Sequence, residues 1–439
     1  MSDFFFARSQ MAMSLAFHIV FAALGIGMPL LMVMAEGAYL RTGTTVYLEL
    51  SKRWAKGTAI LFAVGAVSGT VLSFELGLLW PGFMAAAGAI IGMPFSLEGF
   101  AFFSEAIFIG VYLYGRDRLT PWLHWLAGLA VAASGILSGI FVVTANAWMN
   151  VPTGFAFSAG RFTGIDPVAA MLNPASLHEA LHMTLAAFVA TGFAVAAVHA
   201  FFLRRNPASL FHRRALGLAL AVGCASIPLQ IASGDFSARA VGRLQPAKLA
   251  AMEAHYRTRA EAPLLIGGIP DDATRTTRYA LTIPSGLSLL LASDPSARVA
   301  GLEEIPRRDW PDVRVVHWSF DFMVLSGFAL LAMAGWSGWV WWRQGRLADH
   351  PRLLRALVAA GPLGFVAIEA GWVVTEAGRQ PWIVYNVMRT ADAVTPMPGI
   401  AIPFAVFTAL YVFLAWMVFA LLKRQFLETA ATESPPPSA

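Results

Sequence analysis

An all-α membrane protein, a bundle of about nine transmembrane helices with one long extracytoplasmic loop, follows from three features of the sequence. Of 439 residues, 57% are hydrophobic and only 13% charged, and the mean hydropathy is +0.63, a balance foreign to soluble enzymes. Apolar runs long enough to cross a bilayer recur along the chain. The basic residues are dispersed among short connections, which marks membrane topology and argues against nucleic acid in spite of a net charge of +5.

The runs fall at about residues 9–36, 55–78, 95–115, 122–145, 180–203, 214–233, 317–342, 354–377 and 400–422. The first follows Arg8 as a signal peptide would, but it is too long for one and lacks a clear cleavage site, so it reads as a helix. Alternate connections carry Arg41, Lys52, Arg53 and Lys56, then Arg116 and Arg118, Arg204, Arg205, Arg213 and Arg214, Arg343, Arg346, Arg352 and Arg355, and Lys423 with Arg424. These are 16 of the 31 Lys and Arg residues. They set those ends in the cytoplasm, the amino terminus outside and the carboxyl terminus inside.

The chain thus divides into helices one to six (1–233), a hydrophilic extracytoplasmic loop (234–316), helices seven to nine (317–423) and a disordered cytoplasmic tail (424–439) ending ETAATESPPPSA. The loop is too short and too rich in Pro, Gly and Arg for an independent domain, and a connection of that length is usually functional. The single cysteine, Cys224, excludes an intrachain disulfide, a Cys-ligated iron–sulfur cluster and a C-x-x-C-H haem attachment.

Chemistry concentrates in FVAIEAGWVVTEAGRQPW, residues 365–382. Glu369, Trp372 and Glu376 recur at spacings of three and four and share a helix face, which Gly378 and Pro381 terminate. A carboxylate in the last turn of an apolar span faces the negative end of the helix dipole and needs a positive partner, either Arg379 or a metal cation. Orientation places Glu376, His18, His182, Met323 and Glu98 in one leaflet, Glu98 at the outer start of the third span. His182 and Met323 make an axial pair for a low-spin haem, with His178 as the rival imidazole and core filling as the rival role of Met323. His18 is either a haem ligand or a core histidine bonded to a carbonyl. Glu98 and Glu105, seven apart on one face with Ser138 on the next helix, suit a proton path or a water-filled polar seam. Lys248 and Glu253 lie five apart in a short amphipathic stretch of the loop.

Together these motifs resemble subunit I of the cytochrome bd-type quinol oxidases along nearly the whole chain. The resemblance is carried by EAGWVVTE with GRQPW, WSFDFM at 318–323, Arg8 with His18, EGFAFFSE at 98–105, NAWMNVPTGF at 146–155, and GDF followed by QPAKLAAMEA. It implies a low-spin haem b on His182 and Met323, and two high-spin haems on His18 and Glu376, one haem b and the other haem d or a further haem b. It further implies Arg8 and Arg379 near propionates, Trp372 between haems, Glu98 near the oxygen site, Glu105 and Ser138 on the proton route, and quinol as substrate at Lys248 and Glu253. A subunit II would be the partner in the bacterial cytoplasmic membrane, with small single-helix subunits, lipid and quinone as further associates and no nucleic acid. The short loop, and SFELGLLW on the second helix with Ser73 where the family more often has an acid, point to a divergent, cyanide-insensitive-like branch. The competing reading is a haem-free secondary transporter or proton channel with buried carboxylates.

Overall fold

The computed structural model describes residues 3–158, 161–394 and 398–433. Nine long helices dominate those residues: α1 (Asp3–Thr42), α2 (Thr45–Leu79), α3 (Pro81–Tyr114), α4 (Pro121–Asn150), α5 (Ser176–Leu203), α6 (Leu210–Leu244), α7 (Val313–Gln344), α8 in two segments (Pro351–Ala360 and Leu363–Arg379) and α9 (Ala401–Glu433). All nine are long and apolar enough to cross a membrane. Connections at one end are short, and their sequence chemistry fixes where helices begin. Thr120 precedes Pro121 and accepts from Leu123 N at 3.4 Å, Ser209 accepts from His212 N at 3.2 Å, and Asp312, at the opposite end, accepts from Val315 N at 3.1 Å. Gly345, at φ 64°, closes α7 in the left-handed conformation that only glycine adopts freely.

The helices run past the expected spans. α3 starts at Pro81 rather than near residue 95, because the apolar stretch 81–94 is continuous helix that absorbs Pro94. Glu98 therefore sits halfway along α3, not at its outer start, a correction to the depth assigned above. α6 continues ten residues beyond the expected loop boundary at 234, and α9 continues to Glu433, into the stretch expected to be tail. Residues 434–439 of that tail lie outside the described residues.

α1 and α5 form the middle of the bundle, with 56% and 61% of their most apolar stretches buried, against 17% for α9. Without a hydrophobic drive between helices in lipid, close approach depends on small residues. A Cβ on Gly192 of α5 would lie 2.6 Å from the Gly223 nitrogen of α6, and one on Gly364 of α8 would lie 2.4 Å from the Ala190 Cα of α5. Gly364→Val is accordingly expected to push α8 off α5 and destabilise the bundle by about 1–3 kcal/mol. The thermal midpoint of the purified protein checks this, and an unchanged midpoint contradicts it.

The longest connection, between α6 and α7, folds onto the bundle. It holds a short helix (Pro246–Met252) and two small hairpins, Leu264–Ile266 with Leu281–Ile283 and Ile269–Asp271 with Thr276–Arg278. Ala250, Met252, Tyr256 and Leu302 pack in one cluster with Val313 and Val316 of α7 and Val374 of α8. His317, fully buried, ties it down: its ring nitrogens lie 2.7 Å from the Met252 carbonyl and 3.1 Å from that of Gly267. The face carrying this connection, together with those before α5 and α9, is called the loop face below.

Candidate functional site

At the loop-face end of α8, Glu376 uses both oxygens. Asn146 of α4 donates to Oε1 at 2.5 Å and Arg379 donates to Oε2 at 2.6 Å. Both partners allowed by the sequence remain compatible with this, since the arginine is present and a carboxylate can exchange a hydrogen bond for a metal. Arg379 is 2% exposed and also donates to Asn150 Oδ1 at 3.2 Å. Asn150, wholly buried at the end of α4, is the hub the sequence did not reveal. Its Oδ1 accepts from Lys248 Nζ at 2.9 Å as well as from Arg379. Its Nδ2 donates to Glu179 Oε1 on α5 at 2.9 Å and to Asn146 Oδ1 at 3.1 Å. Gln245 closes the set by donating to the Asn150 carbonyl at 3.1 Å.

Lys248 is therefore a buried member of this network rather than a solvated loop charge. Its stem crosses Gly378, where a Cβ would lie 2.8 Å from the lysine Cγ, so the glycine that ends α8 also lets the lysine through. Burial pushes the Lys248 ammonium below its ordinary range, against the pull of Glu179. Glu253, at the other end of the short helix, makes no hydrogen bond to this network among the described residues. It is 3% exposed, its Oε2 has no partner, and burial, reinforced by Asp321 of α7, raises its carboxyl to about 8.

The two histidines share one construction. His18 Nδ1 lies 2.9 Å from Ser68 Oγ of α2, and that hydroxyl donates to the Val64 carbonyl at 2.9 Å. His182 Nδ1 lies 2.9 Å from Ser233 Oγ of α6, whose hydroxyl donates to the Gln230 carbonyl at 2.9 Å. A serine that gives its hydrogen to a carbonyl offers only an acceptor to the imidazole, so Nδ1 carries the proton and Nε2 keeps the lone pair. In each case the next residue is glycine: Cβ positions on Gly69 and Gly234 would lie 3.0 and 3.5 Å from the imidazole Cε1. His178, the rival to His182, is buried with an unbonded Nδ1 and lacks this tether.

Met323 lies on α7 with its sulfur against Gly371 of α8, 3.0 Å from where a Cβ would stand. Trp372, next along, packs with Ile19 and Ile26 of α1, Met183 of α5 and Ile368. Glu369, seven residues before Glu376, has a buried Oε1 with no hydrogen bond. Arg8 is exposed on α1 and lies over the Phe4 ring at 5.5 Å. On α3, Glu98 accepts from Ser138 Oγ at 3.1 Å, and Glu105, 5% exposed, faces Gly135 of α4 with Oε1 unbonded.

Not every polar group gathers at the loop face. Toward the basic end, Glu36 of α1 accepts from Tyr112 at 2.5 Å and pairs with His124 Nδ1 at 2.7 Å and Arg116 at 3.4 Å. Sequence spacing gave no sign of this cluster, whose members come from three segments.

The ligand-type residues suit haem. Among the described residues there is no group of three or more His, Cys, Asp or Glu able to hold a bare metal ion. An iron already held by a macrocycle asks the protein for only one or two axial ligands. Tethered imidazoles with the lone pair on Nε2, which in His182 meets the Gln230 amide nitrogen at 3.1 Å, and a thioether seated on glycine meet that demand.

Fold and site thus define a polytopic membrane protein with side chains suited to haem. Residues 6–430 match the family described as cytochrome bd terminal oxidase subunit I. The chain belongs to that family. It is 37% identical over 428 residues, 96% of each chain, to a Bacillus subtilis (strain 168) protein provisionally named cytochrome bd menaquinol oxidase subunit I. It is 32% identical over 409 residues to the cytochrome bd ubiquinol oxidase subunit 1 of the same organism, covering 90% of this chain and 87% of that one. The bd oxidase structure from Geobacillus thermodenitrificans superposes with a TM-score of 0.92 at 35% identity, over 97% of this chain and 99% of the other. The family makes this a multi-pass protein of the bacterial cytoplasmic membrane that carries haem and works with a subunit II.

Proposed function

We propose that this chain, as subunit I of a bd-type quinol oxidase, oxidises quinol at the loop face, turned outward, and reduces O2 to water with protons drawn from the cytoplasm. Protons released on one side and consumed from the other separate charge without a pump. The observation that supports this best is the bonded path from the loop to α8: Lys248 to Asn150, Asn150 to Arg379, and Arg379 to Glu376. It links a buried loop lysine, suited to a quinol head group, with the side chain proposed to reach a haem. The Bacillus relatives carry different quinones in their names, so the substrate is taken as the class, quinol.

His182 and Met323 would hold a low-spin haem b, and His18 and Glu376 two high-spin haems, one haem b and the other haem d or a further haem b. When bound, these groups supply one-electron transfer and the iron at which oxygen is reduced. Arg8 and Arg379 would meet propionates, and Trp372 would fill the space between haems. Glu105, Ser138 and Glu98 would pass protons across the bundle. Small single-helix subunits, lipid and quinone are proposed associates. The transporter reading gives no reason for two histidines to be tethered alike through Ser68 and Ser233.

Glu253 is the proposed base at the quinol. With its carboxyl raised to about 8, the basic form grows as pH rises toward that value, so quinol oxidation is expected to accelerate from neutral pH upward. Glu253→Gln should flatten that limb and slow quinol oxidation more than oxygen binding to the reduced enzyme. Equal loss of both would remove Glu253 from the quinol site.

A further inference from the structure

We infer that Glu179 is a second proton acceptor for quinol, acting beside Lys248 while Glu253 takes the other proton. The inference rests on the quinol reading above. A quinol gives up two hydroxyl protons with its two electrons, and the two ends of the helix Pro246–Met252 offer two differently directed groups. Glu253, at one end, is near enough to Asp321 of α7 to feel its charge. Lys248 turns toward α4 and α5, where the Asn150 amide stands between it and Glu179, with 2.9 Å on each side.

The amide orientation is set by its neighbours. Its oxygen meets the cationic donors Lys248 and Arg379, and its nitrogen meets the acceptors Glu179 and Asn146 Oδ1. Two cations and two carboxylates, Glu179 and Glu376, thus surround one asparagine. The carboxylates differ in what they have left to offer. Glu376 has both oxygens engaged, whereas Glu179 uses only Oε1, and its Oε2 makes no hydrogen bond among the described residues. Glu179 is also in the first turn of α5, where the helix dipole favours an anion, and is only partly buried. His178 and His182 are titratable groups on the same helix, and His178 is close enough to feel the Lys248 charge.

The step balances. One quinol O–H breaks, its proton forms an O–H bond on Glu179 Oε2, and the electron pair stays on the quinol oxygen beside the Lys248 ammonium. The second hydroxyl proton goes to Glu253. The two electrons leave to the oxygen-reducing branch that the oxidase activity supplies. Both carboxyls then return their protons to water at the loop face, leaving quinone, two protons and two carboxylates.

The test uses the purified holoenzyme with subunit II, carrying Glu179→Gln or Glu179→Asp, and two donors. A short-chain ubiquinol delivers protons with its electrons, and tetramethyl-p-phenylenediamine kept reduced by ascorbate delivers electrons alone. The Gln variant should lose about 10²-fold in quinol kcat, the scale of one general base, with KM, the visible spectrum and amine-driven oxygen uptake within about twofold of the parent. The Asp variant should recover much of the loss and move the acid limb of the quinol pH profile. Quinol kcat unchanged in the Gln variant overturns the inference, and so does a parallel fall with both donors, which would make Glu179 a structural counter-charge to Lys248. Should the Gln variant fail to assemble, an unmoved acid limb in the Asp variant overturns it. A parent enzyme that consumes oxygen with the amine but not with quinol would sink the quinol reading itself.

Discussion

Met323→Leu is expected to leave the bundle folded while converting the low-spin haem to high spin and stopping electron flow from quinol. Leucine and methionine have nearly the same volume, and such swaps cost under about 1.5 kcal/mol in packed interiors. The sulfur sits in a notch made by Gly371, 3.0 Å from a notional Cβ, so a branched side chain of that size still fits. What leucine lacks is the thioether lone pair that, with His182, would hold the proposed low-spin haem. The visible spectrum of the reduced variant reads the spin state directly. A low-spin spectrum unchanged by the substitution would remove Met323 from the site.

Arg379→Leu should have the largest effect on stability. The arginine is 2% exposed and holds Glu376 and Asn150 together. Removing one partner of a buried ion pair leaves the other uncompensated, which costs about 3–5 kcal/mol in protein interiors. Glu376 keeps a third of its side chain exposed, so the lower end of that range applies. Arg379→Lys should recover only part, because a single ammonium cannot span two acceptors as the guanidinium fork does. Thermal unfolding of the purified complex, followed by haem release, measures both variants. A midpoint for Arg379→Leu equal to the parent would contradict the account.

The helices were legible because burial in lipid leaves long apolar runs, and the face Glu369–Trp372–Glu376 was legible because helical spacing is local. Depth was less so. Glu98 reads as a helix start when the span is taken to begin near residue 95, while in the bundle α3 begins at Pro81 and runs through Pro94. Arg379 beside Glu376 and Ser138 beside Glu98 were legible as partners, but most of the other partners were not. The roles of Ser68, Ser233 and Asn150 come from partners on other elements, 50 and 51 positions away for the serines and between 29 and 229 for Asn150. One signal was present: a Ser-Gly pair on each of α2 and α6, facing the two histidines. The burial of Lys248 was not legible, because nothing local announces that Gly378 clears its way.

The most direct test of the whole account is the reduced-minus-oxidised visible spectrum of the complex purified with subunit II, with its haems extracted and typed. The account predicts protohaem, with one low-spin b-type signal that disappears in His182→Ala and in Met323→Leu, and a chlorin in addition if haem d occupies one high-spin site. A well-folded complex with no haem, or a low-spin signal indifferent to both substitutions, would contradict it.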